Sequence, residues 1–242
     1  AMSWQNAITM SRPGVAMQNV LYHFRFPDGV SASCAVPADD EAPTADLPDW
    51  TALEFEQCPN CPLSPASTPR CPMAVRFIPL IAMIGKLRSY EQVEVRVQTA
   101  ERKVGKVTTV QRGVGALMGL LAAGSACPHA AFLRPMAHFH LPFASEEETI
   151  YRAASTYLLS QYFLARQGGT PDWELDGLKA RYLALQTVNG AMARRLRHAV
   201  DDDGAINALI VLDLLAKALP YSIDEQLDDI KAIFLAATAP PA

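Results

Sequence analysis

Residues 21–36 read LYHFRFPDGVSASCAV, and this stretch sets the character of the fold. Its first six residues have period two, the spacing of a strand with one buried face. PDG at 27–29 is a turn, and Val30, Ala32, Cys34 and Val36 then share one face of a second strand. The pattern predicts a β-hairpin. Cys34 is read most simply as a small buried residue of that face.

Outward from the hairpin, the chain from 19 to about 110 stays β-rich. A Pro/Asp/Ala-rich loop spans 37–48, residues 51–57 read as a short strand, and 90–99 with 103–110 read as another strand pair. Between them, 73–89 has helical apolar spacing, although Pro79 is expected to bend that helix or end its first part. Beyond residue 145 the period changes to that of helices. SEEE at 145–148 and SIDE at 222–225 both match the capping box. The first opens a helix with Ile150, Ala153, Ala154, Tyr157 and Leu158 on one face; the second opens one with Ile223, Leu227, Ile230 and Phe234. A long helix between them carries Leu178, Tyr182, Leu185, Met192 and Leu196, and 205–219, apolar almost all round, is expected at a bundle centre or a subunit contact. The expectation is an α+β protein: a β-rich half with short helices over 1–144, and a helical bundle over 145–242 packed on it as one unit.

Composition narrows the function classes. With 242 residues, half of them hydrophobic, 19% charged and a net charge of −4, the chain reads as globular and long enough to bury a core unaided. Its basic residues are scattered, so no nucleic-acid footprint is expected. The densest cluster, Arg194, Arg195 and Arg197 with His198, is read as the positive end of a helix. The apolar runs at 77–85 and 114–124 are too short to cross a bilayer, so no membrane partner is expected. Without a signal-peptide pattern, the expected location is cytoplasmic. The partner expected is a second copy or another protein, through the helical half.

The cysteines carry the chemistry. Four of the five are followed by proline: Cys58, Cys61, Cys71 and Cys127. An odd cysteine count without a secretory signal reads as metal ligands or free thiols rather than as a disulfide framework. Proline favours the first position of a helix, so Cys71 and Cys127 are expected just ahead of helices, where backbone amides favour a thiolate. The spacing C-x2-C-x9-C-x55-C predicts a four-thiolate metal site, with His129 in place of Cys127 as the alternative fourth ligand. Zinc is slightly favoured over a [4Fe–4S] cluster, which also takes four thiolates. The leading expectation is thus a metal-binding protein whose site is structural or regulatory; the alternative is an iron–sulfur redox or sensor protein. Whether the chain is an enzyme is left open by the sequence, and a third reading places His138 and His140 beside an open ion.

Two further motifs are weaker. In extended chain His138 and His140 point the same way, but the simpler expectation is that each donates to a nearby carbonyl; Glu146–Glu148 are accounted for by the capping box. RGVGALMG at 112–119 lacks the dinucleotide spacing, and its small residues Gly115, Gly119 and Ala123 suit close helix packing instead.

QCPNCPL, the later CP, CPHAAFLRPMAHFHLPFASEEETIYRA and YLLSQYF together resemble an uncharacterised bacterial family, a domain of unknown function in proteobacterial proteins. The likeness runs from the hairpin to the last helix, including VNGAMARRLR and INALIVLDLLAKALPYSI. It implies one integrated bacterial protein and no particular activity.

Overall fold

The computed structural model describes residues 19–36, 47–84, 90–199, 210 and 227–235. The hairpin forms as strands β1 (Val20–Arg25) and β2 (Ser31–Val36), with Tyr22 opposite Cys34. Gly29 takes φ 85° in the turn, a conformation open to glycine. Strands β3 (Gln92–Gln98) and β4 (Lys103–Thr109) form the second pair. The sheet is antiparallel throughout, in the order β2-β1-β3-β4.

Period two separates its faces. Val20, Tyr22, Phe24, Cys34, Val36, Val93, Val95 and Val97 are buried, while Gln92, Arg96 and Gln98 face outward. Helices α1 (Pro72–Ile84) and α2 (Val110–Ala123) pack on the sheet and on each other. Helix α1 runs through Pro79, which is exposed, so the proline does not end it. Helix α2 starts directly from β4, and both glycines of RGVG lie inside it. No loop remains to cradle a phosphate. At Gly113 a Cβ would stand 2.9 Å from Val95 Cγ2 and 3.2 Å from a Phe24 ring carbon, so glycine lets α2 lie flat on the sheet.

The second half is helical as expected. After a 3-10 turn (Pro128–Leu133) and the short α3 (Arg134–His138), α4 (Glu146–Arg166) begins at a complete capping box of Ser145 and Glu148. Helix α5 (Asp176–Arg197) buries Leu178, Tyr182, Leu185, Met192 and Leu196. It packs on the Pro128–Leu133 turn and on a second 3-10 turn, Asp49–Thr51, and one buried cluster runs from the sheet through α1 and α2 to α4 and α5. Residues 227–235 are helical, and Phe234 meets the Tyr151 ring of α4 at 5.8 Å. The capping box at 222–225, all of 205–219 except Ile210, and most of the loop at 37–48 lie outside the described residues.

One expected element is absent. Residues 51–57 are turns, with a single bridge between Ala52 and Arg70. The reason lies in their carbonyls: those of Trp50, Ala52 and Leu53 accept hydrogen bonds from the Arg195 side chain, leaving no ladder to offer a neighbouring strand. Among the described residues no single helix is long and apolar enough to cross a bilayer; α2 and residues 128–138 pass together by length and composition, but they meet at 109°.

Candidate metal centre

The segment from Asp49 to Cys71 doubles back on itself. Thr51, fully buried, receives the Cys71 N–H on its carbonyl at 2.8 Å, and Leu53 N–H bonds the Pro69 carbonyl at 2.9 Å. These bonds bring Cys71 beside the start of the loop. At its far side, Cys61 N–H bonds the Cys58 carbonyl at 2.9 Å. The resulting four-residue turn carries a cysteine at each end and has Pro59 in the position where its fixed φ is favoured.

Cys71 immediately precedes α1, and its carbonyl accepts from Val75 N–H at 3.0 Å; Pro72 is the first helical residue, as the Cys-Pro pattern implies. Cys127 is the N-cap of the Pro128–Leu133 turn. The N–H groups of His129 and Ala130 face its sulfur and favour the thiolate, without completing a capping hydrogen bond.

All five cysteines are free thiols. Burial pushes the Cys58 thiol up to about 12, Cys71, Cys127 and Cys61 push it further the same way, and Arg195 opposes them. Burial likewise raises Cys127, opposed by the two amides and reinforced by Cys71 and Cys61. Four thiols from segments far apart in sequence therefore occupy one neighbourhood. Cys34 stands apart on β2, only 4% exposed, with burial raising its thiol and Arg76 as its charged neighbour. As placed, no group of three or more His, Cys, Asp or Glu among the described residues is closed enough to hold a metal ion.

The alternative ligand His129 is engaged elsewhere. Its Nε2–H donates to the Asn60 carbonyl at 2.7 Å, tying the segment after Cys127 to the turn between Cys58 and Cys61. Asn60 in turn donates from Nδ2 to the Ala184 carbonyl of α5 at 3.0 Å, while its buried Oδ1 has no partner among the described residues. His129 thus links the turn after Cys127, through Asn60, to α5.

The residue whose role the sequence reading missed is Arg195. It lies in the last turn of α5 with Arg194 and Arg197, as expected, but it is 2% exposed and among the largest fully buried side chains of the described residues. Its Nη1 donates to the Trp50 carbonyl at 2.6 Å and the Ala52 carbonyl at 2.5 Å, and Nη2 to Leu53 at 3.3 Å. Its guanidinium lies 5.8 Å from the Phe55 ring centroid. A signal was available: Val188, Met192 and Arg195 follow the four-then-three spacing of one helix face, and the first two are apolar.

His138 and His140 do not form a pair of ligands. The chain there is helical up to His138, not extended, and the His138 ring packs edge-on against Phe139 at 4.7 Å. His140 pairs with the Tyr22 hydroxyl at 2.7 Å rather than with a carbonyl. Glu148 is spent on the capping box, accepting from Ser145 N–H at 2.7 Å.

The family model of DUF6901, a domain of unknown function, matches residues 20–235. The chain belongs to that family. No curated protein and no solved structure matches it. The matched span of the DUF6901 domain takes in the whole sheet, all four Cys-Pro thiols and Arg195.

Proposed function

We propose that this DUF6901 protein binds one metal ion through Cys58, Cys61, Cys71 and Cys127, that the ion is zinc, and that its role is structural or regulatory. The observation that carries this reading is the set of hydrogen bonds that draws the Cys58–Cys61 turn, the helix start at Cys71 and the turn after Cys127 together, with Cys71, Cys127 and Cys61 all acting on the Cys58 thiol. Four thiolates suit zinc in a tetrahedral shell, and a closed shell leaves no open position for a substrate. The prolines support it too: each lacks an N–H and stiffens the backbone beside its thiol. Ion binding would turn the four sulfurs onto one centre and displace their protons. It would thereby fasten the loop, the start of α1 and the turn after Cys127 to one another. Free thiols in this number fit a reducing compartment such as the cytoplasm.

Metal content of purified variants tests the ligand set. Cys58→Ser, Cys71→Ser and Cys127→Ser are each expected to lose the ion, while Cys34→Ser and His129→Gln keep it. Equal metal content in all five variants would sink the site. Iron and sulfide in place of zinc would keep the ligands and exchange the ion for a cluster of the [4Fe–4S] type.

A further inference from the structure

Helix α5 touches the thiol-bearing loop at three points. Ala184 takes the Asn60 amide, Arg194 Nε donates to Glu56 at 2.8 Å, and Arg195 enters the loop itself. The third contact differs in kind. A guanidinium keeps its charge in any protein environment, and a buried charge is costly unless an opposite charge or good hydrogen bonds compensate it. Three carbonyls compensate Arg195 in part. Among the described residues, the acidic groups beside it are Cys71, Cys58, Glu56 and Cys61; the Cys71 N–H bonds the Thr51 carbonyl, between two of the carbonyls that Arg195 takes. Glu56 already pairs with Arg194, so of these groups the thiols are left to answer the buried cation. A divalent ion on four thiolates leaves two negative charges, which in turn need a cation nearby.

We propose that Arg195 is the counter-ion of the thiolate centre, and that because α5 carries it, retention of the ion and seating of α5 on the loop are one linked equilibrium. This rests on the thiolate-centre reading above. Arg195 touches no metal; it is a positioning residue that offsets charge and holds the loop carbonyls in place. The coupling also gives the centre a readout at a distance, since whatever displaces α5 loosens the ion and whatever removes the ion loosens α5.

The test uses the full chain with zinc as the probe, in competition with a chromogenic chelator. Arg195→Met is expected to weaken zinc by about ten- to a hundredfold, the usual effect of removing an outer partner of a metal site. Arg195→Lys, which keeps the charge and loses the fork, is expected to fall between it and the wild type. Hydrogen exchange on the wild-type chain, zinc-loaded against chelator-treated, needs no variant to fold. It is expected to show lost protection in residues 184–197 as well as in 50–71. Wild-type zinc affinity in Arg195→Met, or exchange changes confined to the loop, overturns the coupling and leaves the centre standing. A wild-type chain without zinc affinity overturns the centre, and the coupling with it.

Discussion

Burial sets the charge state of the hydrogen bond between Tyr22 and His140. Burial, with Arg152 as a second cause, lowers His140 to about 4, and burial pushes the Tyr22 phenol well above its usual value. At neutral pH the ring is therefore uncharged and the phenol keeps its proton, so the 2.7 Å bond joins two neutral groups and the imidazole tautomer sets its direction. A pH dependence follows. The unfolded chain takes up the histidine proton below about pH 6.5, whereas the folded one does so only near 4. The stabilisation is complete above the higher value and is lost as pH falls through that window, by ~3 kcal/mol at most. His140→Gln keeps a neutral hydrogen-bonding group opposite Tyr22 and removes the titration. Urea unfolding at pH 7 and pH 4.5 should show a smaller drop in this variant than in the wild type; equal drops would show that His140 does not titrate in this way. Gly113 is a second residue-scale case. Gly113→Val would push a side chain into Val95 and Phe24 and is expected to cost ~1–3 kcal/mol, read as a lower urea midpoint. An unchanged midpoint would mean that α2 shifts off the sheet without penalty. Little of this was legible in the sequence: a histidine two residues from another suggests a site, and only the fold shows that one of them meets a tyrosine 118 positions away.

At the scale of elements, the legible parts are those whose signals are local. The hairpin and the β3–β4 pair follow from alternation, and α4 follows from Ser145 and Glu148. Ser145→Ala should cost ~1 kcal/mol by removing the acceptor for an exposed helix N–H; a thermal midpoint equal to that of the wild type would mean that the fold, not the cap, sets the start of α4. The start of α5 was less legible, because its donors are met from outside the usual cap position. Leu175 precedes it in the left-handed region, at φ 62°. The Asp172 carboxylate accepts from Gly177 N–H at 2.7 Å and from the Tyr157 hydroxyl at 2.8 Å, and its own N–H bonds Gln161 Oε1. The Gly177 amide foremost holds the Asp172 carboxyl below its ordinary range. Segment 51–57 defeated the pattern for a different reason. Its alternation resembles a strand, but the partner for its carbonyls is a side chain of α5, 142 residues beyond Leu53.

For the whole molecule, the proposed thiol set stands out in the sequence because Cys-Pro is a local mark repeated four times, while the surroundings that the structure gives it were not legible. Arg195, Asn60 and His129 gain their roles from contacts between the loop, the turn after Cys127 and α5. No spacing rule relates them. The same contacts join the loop, the turn after Cys127 and α5, with α1 starting at Cys71, so an ion held there would act on the joint between the two halves rather than on either alone. Elemental analysis of the wild-type chain, purified without oxygen and without chelator and read alongside its absorption spectrum, tests this most directly. The account predicts about one zinc per chain and no colour; about four irons and a brown protein would keep the thiolates and replace the ion. A chain that carries no metal and does not take up zinc on addition would contradict the account outright.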